Sequence, residues 1–269
     1  MRRLLMIGAV AAGAAAAGFY YKVRPWWKGW GVDPAEAELP LAGDELVPEP
    51  TVTDTRGITI DAPPSAIWPW LVQMGYGRGG WYSYDQLDMK GSSADTIVPG
   101  WQSISVGDTM PSFPGGGFAV KVVEPEKALV LYLDNKIIEA WRQTEDGVIE
   151  TPTPGLAFAG AMGERSMPGA FVATWAFALM PQDDRRTRLI ERFRLAFDGE
   201  TPSSKISQPF MGFGVFVMMQ RQMVGIRDRA EKLARQQGIP AIVPEAAPEL
   251  DIEATPVETE QPAPEEATA

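Results

Sequence analysis

The chain has 269 residues, 45% hydrophobic and 22% charged, enough for one globular domain with residues left over for tails. It has no cysteine, which excludes disulfides, thiolate nucleophiles, Cys-ligated zinc and iron–sulfur clusters, and no histidine, which removes Ser-His-Asp catalysis and imidazole metal sites. The composition favours a binding protein, with no metal or cofactor expected.

The net charge of -11 is unevenly placed. Residues 1–30 hold five basic residues and no acidic one, whereas residues 240–269 hold eight acidic residues and no basic one. Arg2 and Arg3 precede an uncharged run from Leu4 to Tyr21, followed by Lys22, Arg24, Trp26, Trp27, Lys28 and Trp30. A basic start, an apolar centre and the small residues of 14–18 fit a cleaved secretory signal. The length and the Trp/Lys cluster fit an uncleaved single-pass membrane anchor, the preferred reading, with partition into the membrane through residues 1–30.

Residues 31–50 hold six acids and Pro34, Pro40, Pro48 and Pro50, and read as an acidic, proline-punctuated linker. Residues 51–239 are nearly balanced in charge and read as the folded domain. Residues 240–269, rich in Pro, Ala, Glu and Thr, read as a disordered acidic tail.

Within the domain, Thr55–Asp61 reads as a strand. Pro63 and Pro64 start a helix carrying Ile67, Trp68, Leu71, Val72 and Met74, kinked at Pro69 and stopped by Gly75. A second short helix is expected over Trp81–Met89. Strands are expected over Phe118–Glu124, Ala128–Asp134, Lys136–Arg142, Phe171–Met180 and Thr187–Phe197, and a long helix over Lys205–Gln237. Strands grouped beside segregated helices predict an α+β fold, an antiparallel sheet whose apolar face the last helix covers.

This order, with ITIDAPP (58–64) leading into IWPWLVQMG (67–75), resembles the opening of the START-like superfamily, the polyketide-cyclase/dehydrase-like helix-grip fold. GRGGWYSYD (77–85) is similar to a stretch of uncharacterised bacterial members. The resemblance implies a curved antiparallel sheet wrapped around a long C-terminal helix, with two short helices after the first strand. It also implies a hollow for lipids, sterols, polyketides or other apolar ligands, and only some members of the superfamily catalyse. The insertion around 143–170 departs from the shortest members.

Gly75, Gly77 and Gly80 formally match GxGxxG, but they follow a helix instead of a strand, which argues for a link between helices rather than a dinucleotide site. On a helix Trp81, Tyr84, Asp85 and Asp88 share one face, either as a polar-aromatic cavity corner with Asp85 the charged anchor, or as packed aromatics with acids that face water or bond to nearby backbone. Alternation along 187–197 puts Glu191, Phe193, Leu195 and Phe197 inward and Arg188, Arg192 and Arg194 outward. Glu191 is then a carboxylate among apolar neighbours. It is either a polar group for ligand orientation with a raised pKa, or half of a salt bridge to Arg56, Arg78 or Arg142. The arginine stretch 185–194 reads as a solvated strand face, and no nucleic-acid partner is expected.

Trp175 and Phe177 share a wall with Phe171, and Trp141 with Ile137 and Glu139; these rings either line a cavity or fill it. Phe210–Met219, including Phe213, is apolar on every side and too short to span a bilayer, so it is buried or touches membrane. Residues 151–168 are expected to form a lid. The residues taken to contact ligand are Arg78, Trp81, Tyr84, Asp85, Trp141, Trp175, Phe177, Glu191, Phe193 and Phe213. The function expected is membrane-tethered binding of a hydrophobic small molecule or lipid. The alternatives are a cyclase- or dehydratase-like enzyme using Asp85, Glu191 and Tyr84, and a structural membrane-associated protein with a filled core.

Overall fold

The structure is a computed structural model and describes residues 17–88, 91–113, 116–142, 169–199 and 201–239. Short helices α1 (Arg24–Lys28) and α2 (Pro34–Glu38) precede strand β1 (Val52–Ile60). Helices α3 (Pro64–Val72) and α4 (Asp85–Asp88) lead to β2 (Thr109–Phe113), β3 (Gly116–Glu124) and β4 (Ala128–Asp134). Helix α5 (Asn135–Arg142), strands β5 (Phe171–Pro181) and β6 (Thr187–Phe197) and the 35-residue α6 (Pro202–Gln236) follow.

The six strands form one open, curved sheet in the order β1-β6-β5-β4-β3-β2, every neighbouring pair antiparallel. The last strand therefore pairs with the first, and α6 returns across the inner face. This is the expected α+β helix-grip architecture.

The register explains which residues face the helix. One rung across the sheet is Leu179, Leu189 and Ile58; the next is Leu129, Phe177, Glu191 and Arg56; the next is Leu131, Trp175, Phe193 and Asp54. The first rung is apolar and sealed. It packs with Ala66, Ile67, Trp70 and Leu71 of α3 and with Met223, Ile226, Ala230 and Ala234, which recur on α6 at spacings of three and four. Each fully buried Leu, Ile or Phe here stabilises by about 1.5–3 kcal/mol. Helix α6 starts at a capping box between Thr201 and Ser204. It comes so close to the loop after α3 that a Cβ on Gly225 would lie 2.1 Å from the Tyr82 carbonyl oxygen.

The outer face carries the main departure from expectation. Residues 31–50 do not hang as a linker, and the arginines of β6 are not a solvated row. The segment lies across the sheet as a strap. Arg188 pairs with Glu36 at 2.7 Å. Arg192 pairs with Asp44 at 2.7 Å and donates to the Leu39 and Ala37 carbonyls. Arg194 donates to the Val47 carbonyl and pairs with Asp44 at 3.2 Å. Leu41 packs with Ala178 and Ile190, and Val47 is buried. The outer face alternates apolar and guanidinium groups, and the strap supplies partners for both. The packed unit thus begins well before residue 51.

Three local expectations are also corrected. Lys136–Arg142 is helix, because Asp134 accepts from the Ile137 N–H at 2.8 Å and caps a turn in which Ile137, Ile138 and Trp141 fit helical spacing. The helix over Trp81–Met89 shrinks to Asp85–Asp88, since Tyr82 sits in the left-handed region at φ 58°. Strand β2, interrupted by Pro111, was not expected; it is an edge strand, where proline is tolerated. The expected lid over 151–168, the tail and most of the apolar run lie outside the described residues. Among the described residues, no helix is long and apolar enough to cross a membrane.

Candidate functional site

The polar residues of the inner face form an island at the β1–β6 junction. Arg56 and Glu191 are direct cross-strand partners, and both are fully buried. Sequence logic offers an ion pair between them, but the donors of Arg56 go elsewhere. Its Nε donates to the Trp27 carbonyl at 3.0 Å, Nη2 to Asp54 at 3.0 Å and Nη1 to the Met219 sulfur at 3.0 Å. Phe216 of α6 lies against its guanidinium at 5.5 Å, and Lys28 reaches Asp54 at 3.4 Å. Arg56 therefore fastens α1, β1 and α6 together.

Glu191 keeps one partner. The indole Nε1 of Trp175 donates to Oε1 at 2.5 Å, while Oε2 is buried with no hydrogen bond. Burial pushes the Glu191 carboxyl up to about 8, against the opposing pull of the Arg56 charge and the Trp175 bond. An apolar interior charges several kcal/mol for an unpaired carboxylate, so the group stays protonated at neutral pH.

Trp175 links this carboxyl to an aromatic cluster. It stacks on Trp81 with centroids 5.3 Å apart at 18°, meets Phe118 edge-on at 5.6 Å and tilts against Phe177 at 5.2 Å. Burial falls off along the inner face here. Leu129, Leu131 and Phe177 are sealed, whereas Trp175, Phe118, Phe193 and Leu133 point inward yet stay half-buried. Among the described residues, the sheet–helix interface is closed at the α3 end and less tightly covered at the other, where Ala173 and Leu195 nonetheless stay buried. A groove of about 420 Å³ lies at the strand ends, lined mainly by Glu49, Thr51 and the outer-face residues Tyr132, Asp134, Val172 and Ala196, with Phe171 and Phe197 at its rim; Glu191 does not line it.

The other expected contacts divide. Trp81, Trp175, Phe177, Glu191 and Phe193 are brought together on or against the inner face. Arg78 is a brace: its Nη2 donates to the Val72 and Trp101 carbonyls, and desolvation lowers its pKa. Asp85 is not free to anchor a ligand, because it accepts from the Ser93 N–H at 2.9 Å and the Ser93 hydroxyl at 2.5 Å. Tyr84 is exposed, and with no helix at 81–84 it shares no helical face with Trp81. Trp141 lies on α5 instead of on a wall strand, and its side chain is outside the described residues. Phe213 is 41% exposed and touches Trp27 and Phe216.

Sequence reasoning missed Phe118, which belongs to the cluster, and Tyr82. The Tyr82 hydroxyl donates to the Trp70 carbonyl, Arg229 covers its ring at 4.9 Å, and burial raises its pKa. The glycine loop folds on itself through paired Gly75–Gly80 bonds, a link between elements and no phosphate cradle. Among the described residues, no group of three or more acidic side chains converges to hold a metal ion.

No family model and no curated protein matches the chain. Among solved structures it is similar to a hypothetical protein from Helicobacter pylori, at 9% identity and TM-score 0.40, over 71% of this chain and 95% of that one. It is also similar to a conserved protein from Geobacillus kaustophilus, at 14% and 0.38, over 67% and 96%. A third is a norcoclaurine synthase point mutant from Thalictrum flavum in complex with a transition-state analogue, at 12% and 0.32, over 70% and 96%. Likeness at this level carries no argument about chemistry.

Proposed function

We propose that this protein is a START-like, membrane-tethered binding protein. It holds a hydrophobic small molecule or lipid between the less tightly covered end of the sheet and α6, and catalyses no reaction. The observation that carries the reading is the Oε2 of Glu191, buried with no hydrogen bond among the described residues, on a carboxyl bonded to the half-buried Trp175, whose ring in turn meets Phe118. A ligand with one polar group opposite Oε2 would satisfy that atom, and its apolar body would cover the rings at roughly 25 cal/mol per Å².

The enzymatic alternative needs an acid and a base within reach of one ligand position. Its three named groups are dispersed: Asp85 is spent on Ser93, Tyr84 is exposed, and Glu191 is buried among apolar groups. That dispersal favours carriage.

The test is titration with the apolar dye Nile red. The expected result is saturable uptake, with the apparent Kd changed at least about fivefold by Glu191→Gln and by Trp175→Phe while circular dichroism stays that of the parent. No uptake, or equal Kd in three folded proteins, contradicts the reading.

A further inference from the structure

The two longest acid-free stretches of this acidic chain lie at its start and at the front of α6. Residues 1–32 contain no Asp or Glu, and neither does α6 from Pro202 to Arg227, in a protein with 35 acidic residues. They meet at one corner. Trp27 packs on Phe213 with centroids 5.2 Å apart and Trp26 on Phe216 at 5.3 Å, and the Trp27 carbonyl is held by buried Arg56. The helical segment around Trp26 and Trp27 is thus fixed to the domain.

Among the described residues, the rings on the far side of that junction remain largely exposed. Tyr21 is 72% exposed, Trp26 56% and Tyr20 53%, with Phe213 on α6 beside them. Lys22 and Arg221 are exposed at the same elements, and Arg24 lies over the Tyr20 ring at 5.2 Å. The uncharged run of 4–18 leads directly into this collar. Aromatic rings ringed by basic side chains at the end of an apolar run match the chemistry of a bilayer interface with anionic headgroups.

We infer that the aromatic collar of residues 20–26, together with the front of α6 around Phe213, seats the domain on an anionic lipid surface. The seat fixes orientation. Phe213 touches Phe216, Phe216 lies against Arg56, and Arg56 is the cross-strand partner of Glu191, so the site stands a few side chains above the lipid. Resting on the ligand-binding reading, this makes the bilayer the source of the ligand.

The absence of cysteine provides the test. Gly212 and Gly214 have nothing within 4 Å of a built Cβ, so Gly214→Cys and Gly212→Cys place a label on α6 without losing packing. Val106→Cys, at a 63%-exposed position in the turn before edge strand β2, is the control. Each full-length chain carries a bimane label and is reconstituted in phosphatidylcholine–phosphatidylglycerol vesicles, with and without brominated acyl chains. Bromolipid is expected to quench the label at 214 and 212 at least about twofold and to leave 106 unchanged. Labels at 214 and 212 quenched no more than at 106 overturn the seat. Nile red uptake is scored on the same vesicles: quenching without uptake keeps the seat and removes the ligand reading, and uptake without quenching does the reverse.

Discussion

Replacing Glu191 by Gln removes a titration whose effect on stability has a fixed sign. In the folded protein the carboxyl holds its proton up to about pH 8; in the unfolded chain it ionises from about 4.5. Between those values the unfolded state binds fewer protons, so stability falls as pH rises, and it flattens above pH 8. At 1.36 kcal/mol per unit the full window corresponds to about 5 kcal/mol. Glu36 works on the other side. Its side-chain bond to Arg188 lowers its pKa, so its contribution is lost only as pH falls below the ordinary carboxylate range. Urea midpoints of parent and Glu191→Gln, followed by tryptophan fluorescence from pH 5 to pH 8, separate the two. The parent is expected to lose stability relative to the variant by roughly 1 kcal/mol per pH unit. Parallel curves, or a parent that gains on the variant, would refute the reasoning.

The same site and the packing around it yield further expectations. Trp175→Phe removes the indole donor to Glu191, so the pH-dependent fall in stability should extend to higher pH; an unchanged midpoint would mean the indole bond is absent in solution. Asp44→Ala strands Arg192, which is nearly sealed, and half-buried Arg194, and should cost about 2–4 kcal/mol in the urea midpoint. A cost below about 0.5 kcal/mol would show the strap to be loosely held. Gly225→Ala and Gly214→Ala sit on one helix and should move in opposite directions. The first meets the Tyr82 carbonyl and destabilises by about 1–3 kcal/mol, and the second meets open space and stabilises by up to about 1 kcal/mol.

Much of the frame was legible because it rests on local pattern. Period-two alternation and glycine or proline breaks located β3 to β6, and the long run after Pro202 located α6. Alternation along β6 also put Glu191 inside. Its partner was not legible. Trp175 is two residues from Phe177, the direct cross-strand neighbour of Glu191, so the bond is a diagonal that only the β5–β6 register defines. Most of the fate of Arg56 was hidden for the same reason, since two of its donors go to residues 29 and 163 positions away and one to Asp54 nearby.

The strap failed on the same ground. Glu36 and Asp44 meet Arg188 and Arg192 across about 150 residues, and neither stretch signals the other. In residues 136–142 helical spacing gathers Ile137, Ile138 and Trp141 on one face where alternation does not, and the Asp134 cap starts that turn. Tyr82 is a bulky residue at positive φ, held there by its hydroxyl bond to Trp70 and by Ser93, whose hydroxyl accepts from its N–H. The spacing of Trp81, Tyr84, Asp85 and Asp88 points to helix, and tertiary contacts at Tyr82 overrule it.

Native mass spectrometry of the gently purified full chain bears most directly on whether the sheet–helix interface around Trp175 has an occupant. The account predicts one apolar molecule per chain, its occupancy cut sharply by Trp175→Phe and by Glu191→Gln. A bare chain at its sequence mass, or adducts equally abundant in parent and variants, would contradict it.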